Sequence, residues 1–493
     1  MLALYIKTIA TCSVRYTERS FMRKNKLWLL VATAISVLLV GCSKMQSTAE
    51  STIVGKRINN ESWQSYHTER LKERETPYTL FFKNTDDTYS MYIFGSPISF
   101  YDSKDELNLI DTSLIPPTNT HYKRQGYALQ TAAGDVLSYF PRKINKTEFL
   151  IETDDAKLSF RMSGVANNSR YQEDVYVDLL GREHQSVVYQ IAANASLECI
   201  PTTSGIMMRV VFDTKPETNK LVFCIDKKEG YEVSIHEKQY ITITKENGNV
   251  PLAVIRHSFL SDSSGQSNFN AGISVEETSN QWMLSIELDE SFLNSETTVY
   301  PIEISPKFEI FRNNIPDTAL YEAKTSGPLH LSDYSVIGMQ PNYGIGIQYS
   351  KFRTHYVFGT YKQNIKAASY SFVSLAQDNV SIPVSVLRLR TFWKSPTITM
   401  ESRPLPYQTE STTNISVSGL YSVDISEYIR DCIHDDTQNT DDYGLLFSNT
   451  TNEGYKIIAT YDNTFYQPFT RIDFYTSPWR VEPLRDINPN PGL

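Results

Sequence analysis

Short segments in which apolar and polar residues alternate recur along most of this chain. The alternation is clearest at residues 231–236, 281–289, 387–393 and 471–476. Because successive side chains of a β-strand point to opposite faces of the sheet, each segment predicts a half-buried antiparallel strand. Strands that alternate with long helices are missing from the pattern, which argues against a doubly wound α/β fold. We therefore expect a mainly β fold.

One short helix is predicted near the C-terminal end. Asp424 occupies an N-cap position, and Glu427 follows three residues later. The apolar residues that follow the helical spacing are Ile425, Tyr428, Ile429, Cys432 and Ile433. Because Cys432 lies on this apolar stripe, we interpret it as a packed thiol rather than a reactive one.

Near the N-terminus, residues 27–42 read LWLLVATAISVLLVGC and follow the basic residues Arg23, Lys24 and Lys26. About fifteen apolar residues fit the h-region of a signal peptide, whereas a stable membrane span requires about twenty. A single-span anchor or a buried helix is the alternative interpretation. Met22 would start a signal peptide of normal length, so residues 1–21 need not be translated.

The end of this segment, Leu39-Val40-Gly41-Cys42, resembles the lipobox of bacterial lipoproteins. The resemblance implies cleavage between Gly41 and Cys42 and attachment of lipid to Cys42. The rest of the chain would then be held on the extracytoplasmic side of the membrane in the bacterial cell envelope. Stable anchoring requires more than one acyl chain, which a lipoprotein amino terminus normally receives.

The charge balance limits the partners of the chain. It has 47 Lys and Arg against 56 Asp and Glu, a formal net charge of −9. Without residues 1–41 the formal net charge becomes −14. This excess of acidic residues opposes binding to nucleic acid and gives no overall attraction to anionic lipid, so we expect attachment to the membrane through the lipid alone.

The cysteines beyond Cys42 are Cys199, Cys224 and Cys432. Three cysteines cannot form a disulfide framework, and none has the spacing of a metal site.

Composition and proline positions divide the chain into five regions. The predicted regions are a signal peptide (1–41), a lipidated tether (42–75), a β-rich module (76–306), a second β-rich module (310–478) and a loose tail (479–493). The boundary after residue 306 follows from Tyr300-Pro301 and Pro306, because proline cannot donate to a central β-ladder.

The order of segments in the two modules carries a family resemblance. The first module contains FGSPISFYDSKDELNLIDTSLI (94–115) and TTVYPIEISP (297–306). The second contains YSVIGMQPNYGIGIQYS (334–350), VSVLRLRTFW (384–393), YSVDISEYIRDCI (421–433), DDYGLLFSN (441–449) and QPFTRIDFY (467–475). This order resembles the amino-terminal region of bacterial wall-associated and Rhs-type surface proteins, in which a β-rich module precedes a DNRLRE-family domain.

The DNRLRE family is classed among carbohydrate-binding modules. The resemblance implies two antiparallel β-sandwich-like modules, the second of jelly-roll type, with few short helices. It also implies a non-catalytic surface protein that displays a module for glycan binding or for envelope architecture. Cell-wall or extracellular polysaccharide would be its partner.

No nucleophile elbow, zinc-protease motif or phosphate-binding loop occurs. We therefore expect no enzyme. The alternative is a polysaccharide-cleaving lipoprotein of glycosidase or lyase type, because folding can pair two of the many carboxylates.

The densest group of candidate metal ligands is Asp431, His434, Asp435 and Asp436, with Asp441 and Asp442 close behind. Clustered carboxylates suit calcium, but EF-hand spacing is missing, so a solvated turn is the preferred interpretation and no cofactor is predicted. The second module also contains Trp393, Tyr343, Tyr349 and Tyr421. We expect these rings to pack in the core rather than to stack on sugars.

Overall fold

The computed structural model of this protein describes residues 66–478, apart from residues 166–168, 313–314, 324–328, 342, 353, 358, 377–379, 435–438, 441, 450 and 452. The predicted signal peptide and lipidation site therefore lie outside the described residues, as do Asp435, Asp436 and the predicted tail.

Strands dominate the described residues. Those before residue 311 are β1 (His67–Arg70), β2 (Thr79–Asn84), β3 (Tyr89–Phe94), β4 (Ser99–Tyr101), β5 (Leu107–Leu109), β6 (Asp111–Ile115), β7 (Tyr127–Ala133), β8 (Leu137–Pro141), β9 (Phe149–Glu152), β10 (Lys157–Met162), β11 (Gln172–Val177), β12 (Glu183–Ala192), β13 (Ala195–Pro201), β14 (Gly205–Phe212), β15 (Lys220–Asp226), β16 (Tyr231–His236), β17 (Tyr240–Lys245), β18 (Pro251–Arg256), β19 (Leu260–Asp262), β20 (Ser267–Asn268), β21 (Gly272–Glu277), β22 (Gln281–Glu287), β23 (Ile302–Ile304) and β24 (Lys307–Ile310). Those after it are β25 (Asp317–Tyr321), β26 (Tyr334–Gln340), β27 (Gly344–Ser350), β28 (Ile365–Ala376), β29 (Ile382–Arg388), β30 (Gln408–Ile415), β31 (Gly419–Asp424), β32 (Ile433–His434), β33 (Asn439–Thr440), β34 (Leu445–Asn449), β35 (Tyr455–Ala459) and β36 (Phe469–Phe474).

Three large antiparallel sheets contain most of these strands. Sheet I has the order β21-β22-β15-β10-β9-β8-β7-β6. Sheet II has the order β11-β12-β13-β14-β24-β18-β17-β16, with β19, β20 and β23 beside it. Sheet III has the order β1-β2-β3-β36-β28-β35-β26-β27-β34-β29-β30, with β25 paired to β27 and β31 paired to β28. The mainly β prediction is confirmed.

Sheets I and II pack face to face as a sandwich. Phe160 of sheet I stacks flat on Phe308 of sheet II, with ring centroids 4.0 Å apart and an interplanar angle of 5°. At residues 281–287 the predicted alternation is confirmed, since Trp282, Leu284 and Ile286 point into this core and are at most 2 % exposed. The result is one apolar layer between two sheets.

Sheet III curls until its two halves enclose a second core. Tyr370 and Phe372 lie on β28, whereas Phe447 lies on β34, four strands away in the sheet. The rings nevertheless meet, with centroids 5.3 Å apart for Tyr370 and Phe447 and 6.1 Å apart for Phe372 and Phe447. Because a flat sheet would separate these rings by several strand spacings, the sheet must fold back on itself.

The predicted module boundaries differ from the sheets at both ends. Residues 67–70 form β1 rather than tether, and β1–β3 join sheet III through the pairing of β3 with β36. At the other boundary, β24 still pairs with β14 of sheet II, whereas β25 pairs with β27 of sheet III. Alternation identifies a strand, but it does not identify a partner that is hundreds of residues away.

The predicted strand at residues 387–393 is wrong from Leu389 onward, because β29 ends at Arg388. Leu389 and Trp393 are still buried, at 2 % and 4 % exposure, but in a loop that packs beside the sheet. In contrast, Ile472 and Phe474 alternate with half-buried Arg471 and Asp473 along β36, as predicted.

Three short α-helices occur in the described residues, namely α1 (Thr120–Gln125), α2 (Glu290–Asn294) and α3 (Ser426–Cys432). Turns of 3₁₀-helix lie at Lys72–Arg74, Thr354–Val357 and Lys362–Asn364. Asn119 and Asp289 cap α1 and α2 by accepting backbone N–H bonds. Within the part of the chain that the structure describes, no helix has the length and apolar character needed to cross a membrane.

Candidate functional site

A polar groove of about 380 Å³ lies beside α3, and we call it the α3 groove. Its walls come from α3 and from the ends of β28, β29 and β30. The lining residues are Lys366, Ala367, Arg388, Gln408, Thr409, Glu410, Asp424, Ser426, Glu427 and Arg430. The side chains that line it are mainly charged or hydrogen-bonding.

The apolar stripe of α3 fixes the helix beside this groove. Tyr428, Ile429 and Cys432 are at most 4 % exposed, as the sequence predicted. The predicted N-cap is one residue early, because the helix begins at Ser426 and the cap position is Ile425. Asp424 still accepts hydrogen bonds from the Ser426 backbone N–H (2.8 Å) and the Ser426 hydroxyl (2.6 Å). Its carboxylate therefore gives a partner to a backbone N–H group that has none within the helix.

The ion pair of Arg388 with Glu410 is the most buried part of the α3 groove wall. The Arg388 guanidinium donates to Glu410 and to Asp431, and the Arg388 and Glu410 side chains are each 4 % exposed. Burial disfavours the charged guanidinium, but the hydrogen bond and the charge of Glu410 outweigh it and raise the pKa of Arg388. Glu410 also accepts the backbone N–H of Tyr428 at 3.0 Å, so it is held by two elements.

Of the predicted cation loop, Asp435 and Asp436 lie outside the described residues, and the other two members lie on different elements, Asp431 on α3 and His434 on β32. The Asp431 side chain is 59 % exposed and pairs with Arg388. His434 belongs to β32, which pairs with β33. Among the described residues, no group of three or more His, Cys, Asp or Glu side chains is placed to hold a metal ion.

Asp442, close to that loop in sequence, is half-buried and hydrogen-bonded to residues of other elements. It accepts the Tyr428 hydroxyl at 2.5 Å and the backbone N–H of Phe352. Burial raises the pKa of Asp442 to about 6.

A second groove, of about 500 Å³, lies between α1 and the outer face of sheet I, and we call it the α1 groove. Its lining residues are His121, Tyr122, Gln125, Tyr127, Ile144, Asn145, Lys146, Thr147, Glu148, Leu150, Lys157, Ser159 and Arg161. Burial, together with the neighbouring Asp226 carboxyl, raises the pKa of Glu148, which accepts the Ser159 hydroxyl at 2.5 Å.

The rings of the α1 groove are largely covered. Tyr122 is 8 % exposed and Tyr127 is 6 % exposed. The Tyr122 hydroxyl donates to Glu152, and the Lys157 ammonium lies 5.7 Å from the centre of the Tyr122 ring. These rings are therefore packed against the protein and do not present a flat face to a ligand.

The aromatic residues considered from the sequence also pack inward. Trp393, Tyr343 and Tyr349 are at most 5 % exposed. Tyr421 is half-buried and stacks on Phe372 at 6.2 Å. The prediction that these residues belong to the core is confirmed for Trp393, Tyr343 and Tyr349, whereas Tyr421 packs against the core as a partly buried residue.

The three cysteines in the described part are free and buried. Burial raises the pKa of the Cys432 thiol well above its usual value, and it does the same for Cys199. Since the thiolate is the reactive form, the interpretation of Cys432 as a packed thiol is confirmed.

Sequence reasoning missed a group of buried ions between sheet II and the second module, which we call the boundary ion cluster. Arg256 contacts Glu309 at 2.5 Å and Asp462 at 3.2 Å, while Lys307 contacts Asp333 at 2.6 Å. These side chains are at most 5 % exposed. Charged residues on strands usually indicate a solvated face, so the pattern gave no signal for this cluster.

No protein-family model and no curated protein matches this chain. Among solved structures, it is similar to a variant of an exo-β-1,3-galactanase from Phanerochaete chrysosporium with β-1,3-galactotriose, at 8 % identity over 82 % of this chain and 95 % of that chain, with a TM-score of 0.13. A structure of this galactanase with galactose is also 8 % identical, over 81 % of this chain and 94 % of that chain, with a TM-score of 0.13. Such a low TM-score carries no conclusion about function.

Proposed function

We propose that this protein is a lipid-anchored component of the bacterial cell envelope whose β-rich body binds glycan without cleaving it. The lipobox-like residues 39–42 support the anchor on Cys42. The α3 groove is the observation that supports glycan binding. It lies in the second module, the part of the chain whose segments resemble a carbohydrate-binding family.

The chemistry of the α3 groove suits a ligand rich in hydroxyl groups. A sugar hydroxyl both donates and accepts hydrogen bonds, and the groove offers carboxylates, guanidinium groups and an amide side by side. The ion pairs of Arg388 with Glu410 and of Arg430 with Glu427 orient these groups before a ligand arrives. Such preorganisation lowers the entropy cost of binding.

The same pairs favour binding over cleavage. Glycoside cleavage normally uses one protonated and one ionised carboxyl group on opposite sides of the scissile bond. In the α3 groove, Glu410 and Glu427 are each paired to an arginine, and Asp424 accepts two hydrogen bonds from Ser426. These contacts occupy the carboxylate oxygens with the protein's own donors, whereas a glycosidase needs two carboxyl groups that both reach the scissile bond.

Binding can be tested with a panel of cell-wall and extracellular polysaccharides, using the chain from Ser43 onward. We expect retention on at least one glycan, and we expect the double variant Gln408→Ala, Glu427→Ala to lose it. Glu183→Ala, on the exposed part of β12, is the matched control and retains binding. Binding to no glycan, or equal binding by both variants, would contradict the proposal and leave a scaffold role.

Cleavage in the α1 groove is the second candidate, because the raised pKa of Glu148 suits a general acid. If this groove cleaves a polysaccharide, the protein should release reducing sugar from it, and Glu148→Gln should abolish the release. Absence of release from every polysaccharide in the panel would exclude it.

The anchor has its own test. Cys42→Ala in the full chain should leave the signal segment uncleaved or release the protein from the membrane fraction. Correct cleavage with unchanged fractionation would refute lipidation.

A further inference from the structure

The loop that joins β29 to β30 presents apolar side chains to solvent. Leu405 is 73 % exposed and Phe392 is 63 % exposed, the two highest values among the large hydrophobic side chains in the described part of the chain. Tyr407, at the end of the same loop, is 39 % exposed. We call residues 389–407 the β29–β30 loop. Leu405 and Phe392 are therefore the large apolar side chains of the described residues that are most available to a partner.

The β29–β30 loop is firmly held in spite of this exposure. Leu389, Trp393 and Ile398 are at most 4 % exposed and pack in a cluster with Tyr349. The Trp393 ring nitrogen donates to the Tyr443 carbonyl at 2.7 Å, and the Tyr349 hydroxyl donates to the Pro404 carbonyl at 2.9 Å. The fold therefore fixes the base of the loop while it leaves Phe392 and Leu405 outside.

The charge of the β29–β30 loop is opposite to that of the whole chain. It contains Arg390, Lys394 and Arg403 against the single acidic residue Glu401, whereas the chain carries a net charge of −9. Arg390 and Lys394 are exposed. The loop is therefore a local basic and apolar site that the overall composition conceals.

Cations cover the exposed rings. The Lys351 ammonium lies 4.0 Å from the centre of the Phe392 ring, and the Arg390 guanidinium lies 3.8 Å from the centre of the Tyr407 ring. One face of each ring is therefore already occupied by a cation, which leaves less ring surface for a sugar to stack on. An aliphatic residue such as Leu405 adds nothing to sugar stacking, but it does gain by entering lipid.

We propose that the β29–β30 loop docks on an anionic phospholipid bilayer, with Phe392 and Leu405 entering the headgroup region and the surrounding Lys and Arg contacting lipid phosphates. Apolar burial and attraction to anionic lipid add together in interfacial binding. Lys and Arg can keep their charged ends at the phosphates while their aliphatic stems lie along the apolar groups. This contact goes beyond the proposed lipid on Cys42 and does not depend on glycan binding.

The length of the N-terminal segment permits this docking in an anchored protein. The loop lies at the β30 edge of sheet III, and β1 lies at the opposite edge, ten strand spacings away. At about 4.8 Å per spacing this is roughly 48 Å along the sheet, and curling shortens it. The 23 residues from Ser43 to Ser65 span up to roughly 80 Å when extended, so a lipid on Cys42 leaves the loop free to reach the same membrane.

Sedimentation with vesicles tests the docking without the lipid. The chain from Ser43 onward keeps the whole compact unit Gly55–Leu493. We expect it to sediment with vesicles of phosphatidylcholine and phosphatidylglycerol, but not with phosphatidylcholine alone. The double variant Phe392→Ser, Leu405→Ser should bind at least about tenfold more weakly. Arg390→Gln and Lys394→Gln should each weaken binding about fivefold, and added salt should remove this difference.

The matched control is Val175→Ser, Val177→Ser, which removes exposed apolar groups from β11 at 51 % and 57 % exposure. It should bind like the wild type, and the unfolding midpoints of all variants show whether each is folded. Equal binding to neutral and anionic vesicles, or equal loss in the control and loop variants, would overturn the proposal. Loss of glycan retention instead of vesicle binding in the loop variant would assign these residues to the glycan.

Discussion

The interior of the first module and the boundary between the two modules exclude water in different ways. Between sheets I and II the contacts are apolar, as in the flat stack of Phe160 on Phe308. At the boundary, Arg256 and Lys307 are equally inaccessible but meet the carboxylates of Glu309, Asp462 and Asp333. The first interior tolerates any well-fitting apolar side chain, whereas the second requires particular partners.

The difference has a physical consequence. Each apolar surface that is buried in a core stabilises the fold. Buried ions lose the free energy of hydration, and their mutual attraction offsets this loss only when every partner is in place. The boundary ion cluster thus contributes little net stability for its burial. We infer that it instead selects one arrangement of sheet II against the second module, because a displaced arrangement leaves buried charges unpaired.

The largest effect is expected inside the sandwich. Phe308 is fully buried and stacks on Phe160, so Phe308→Ala should lower the free energy of unfolding by about 4 to 5 kcal/mol. Urea unfolding followed by circular dichroism measures this loss. Val177→Ala, at 57 % exposure, is the control and should change it by less than about 0.5 kcal/mol. A small effect of Phe308→Ala would mean that the apolar layer is not the main source of stability.

How far the sequence predicts each interior depends on the type of contact. The alternation of Trp282, Leu284 and Ile286 predicts their common buried face, because an apolar side chain on a strand is normally buried. Arg388 and Arg256 resemble solvent-facing strand residues, yet both are 4 % exposed. Their charged partners lie on elements that are distant in the sequence. The α3 groove is likewise lined by residues from elements that are far apart in the sequence. Local patterns therefore predict strands and α3, but not the pairing of β3 with β36 or the position of the groove.

The second effect concerns one ion pair of the boundary ion cluster. Glu309 accepts from Arg256 and from Thr202 and Thr464, so Glu309→Gln leaves the Arg256 charge without its main counter-charge. We expect a loss of about 3 to 4 kcal/mol in the free energy of unfolding. Glu303→Gln is the control on the same sheet, since its side chain is 37 % exposed, and it should cost less than about 1 kcal/mol.

A double-mutant cycle sharpens this result. Arg256→Met combined with Glu309→Gln removes both charges, so the combined loss should be smaller than the sum of the single losses. Both residues lie on sheet II, so the cycle measures the strength of this buried pair, and additive losses would show that the two charges do not interact.

The third effect is a pH dependence in the second module. Burial raises the pKa of Asp442 from 3.8 to about 6, so the folded state holds this proton more tightly than the unfolded state. The stabilising contribution is complete below about pH 4 and is lost as the pH rises toward 6, a change of about 2 to 3 kcal/mol. Asp442→Asn removes the titration, so its stability relative to wild type should increase over this window.

His67 gives the wild type and the Asp442→Asn variant a pH dependence of stability that is opposite in direction to that of Asp442. Burial lowers the pKa of His67 to about 4, so stability falls as the pH drops below 6.5. This contribution cancels when wild type and Asp442→Asn are compared at each pH by urea unfolding. A difference that does not vary between pH 4 and 6 would show that Asp442 titrates normally.

The smallest effect tests whether burial, and not ion pairing itself, distinguishes the boundary ion cluster. Lys220 and Glu287 form a cross-strand pair at 2.8 Å on sheet I, with side chains 50 % and 49 % exposed. Because water already solvates both charges, Lys220→Ala should change the free energy of unfolding by about 0.5 kcal/mol or less, and added salt should abolish the change. The matched comparison is Glu309→Gln at the same two salt concentrations, whose larger loss should persist because its partners are shielded from solvent. If both losses are similar and equally sensitive to salt, the boundary charges are accessible to water and the contrast between the two interiors fails.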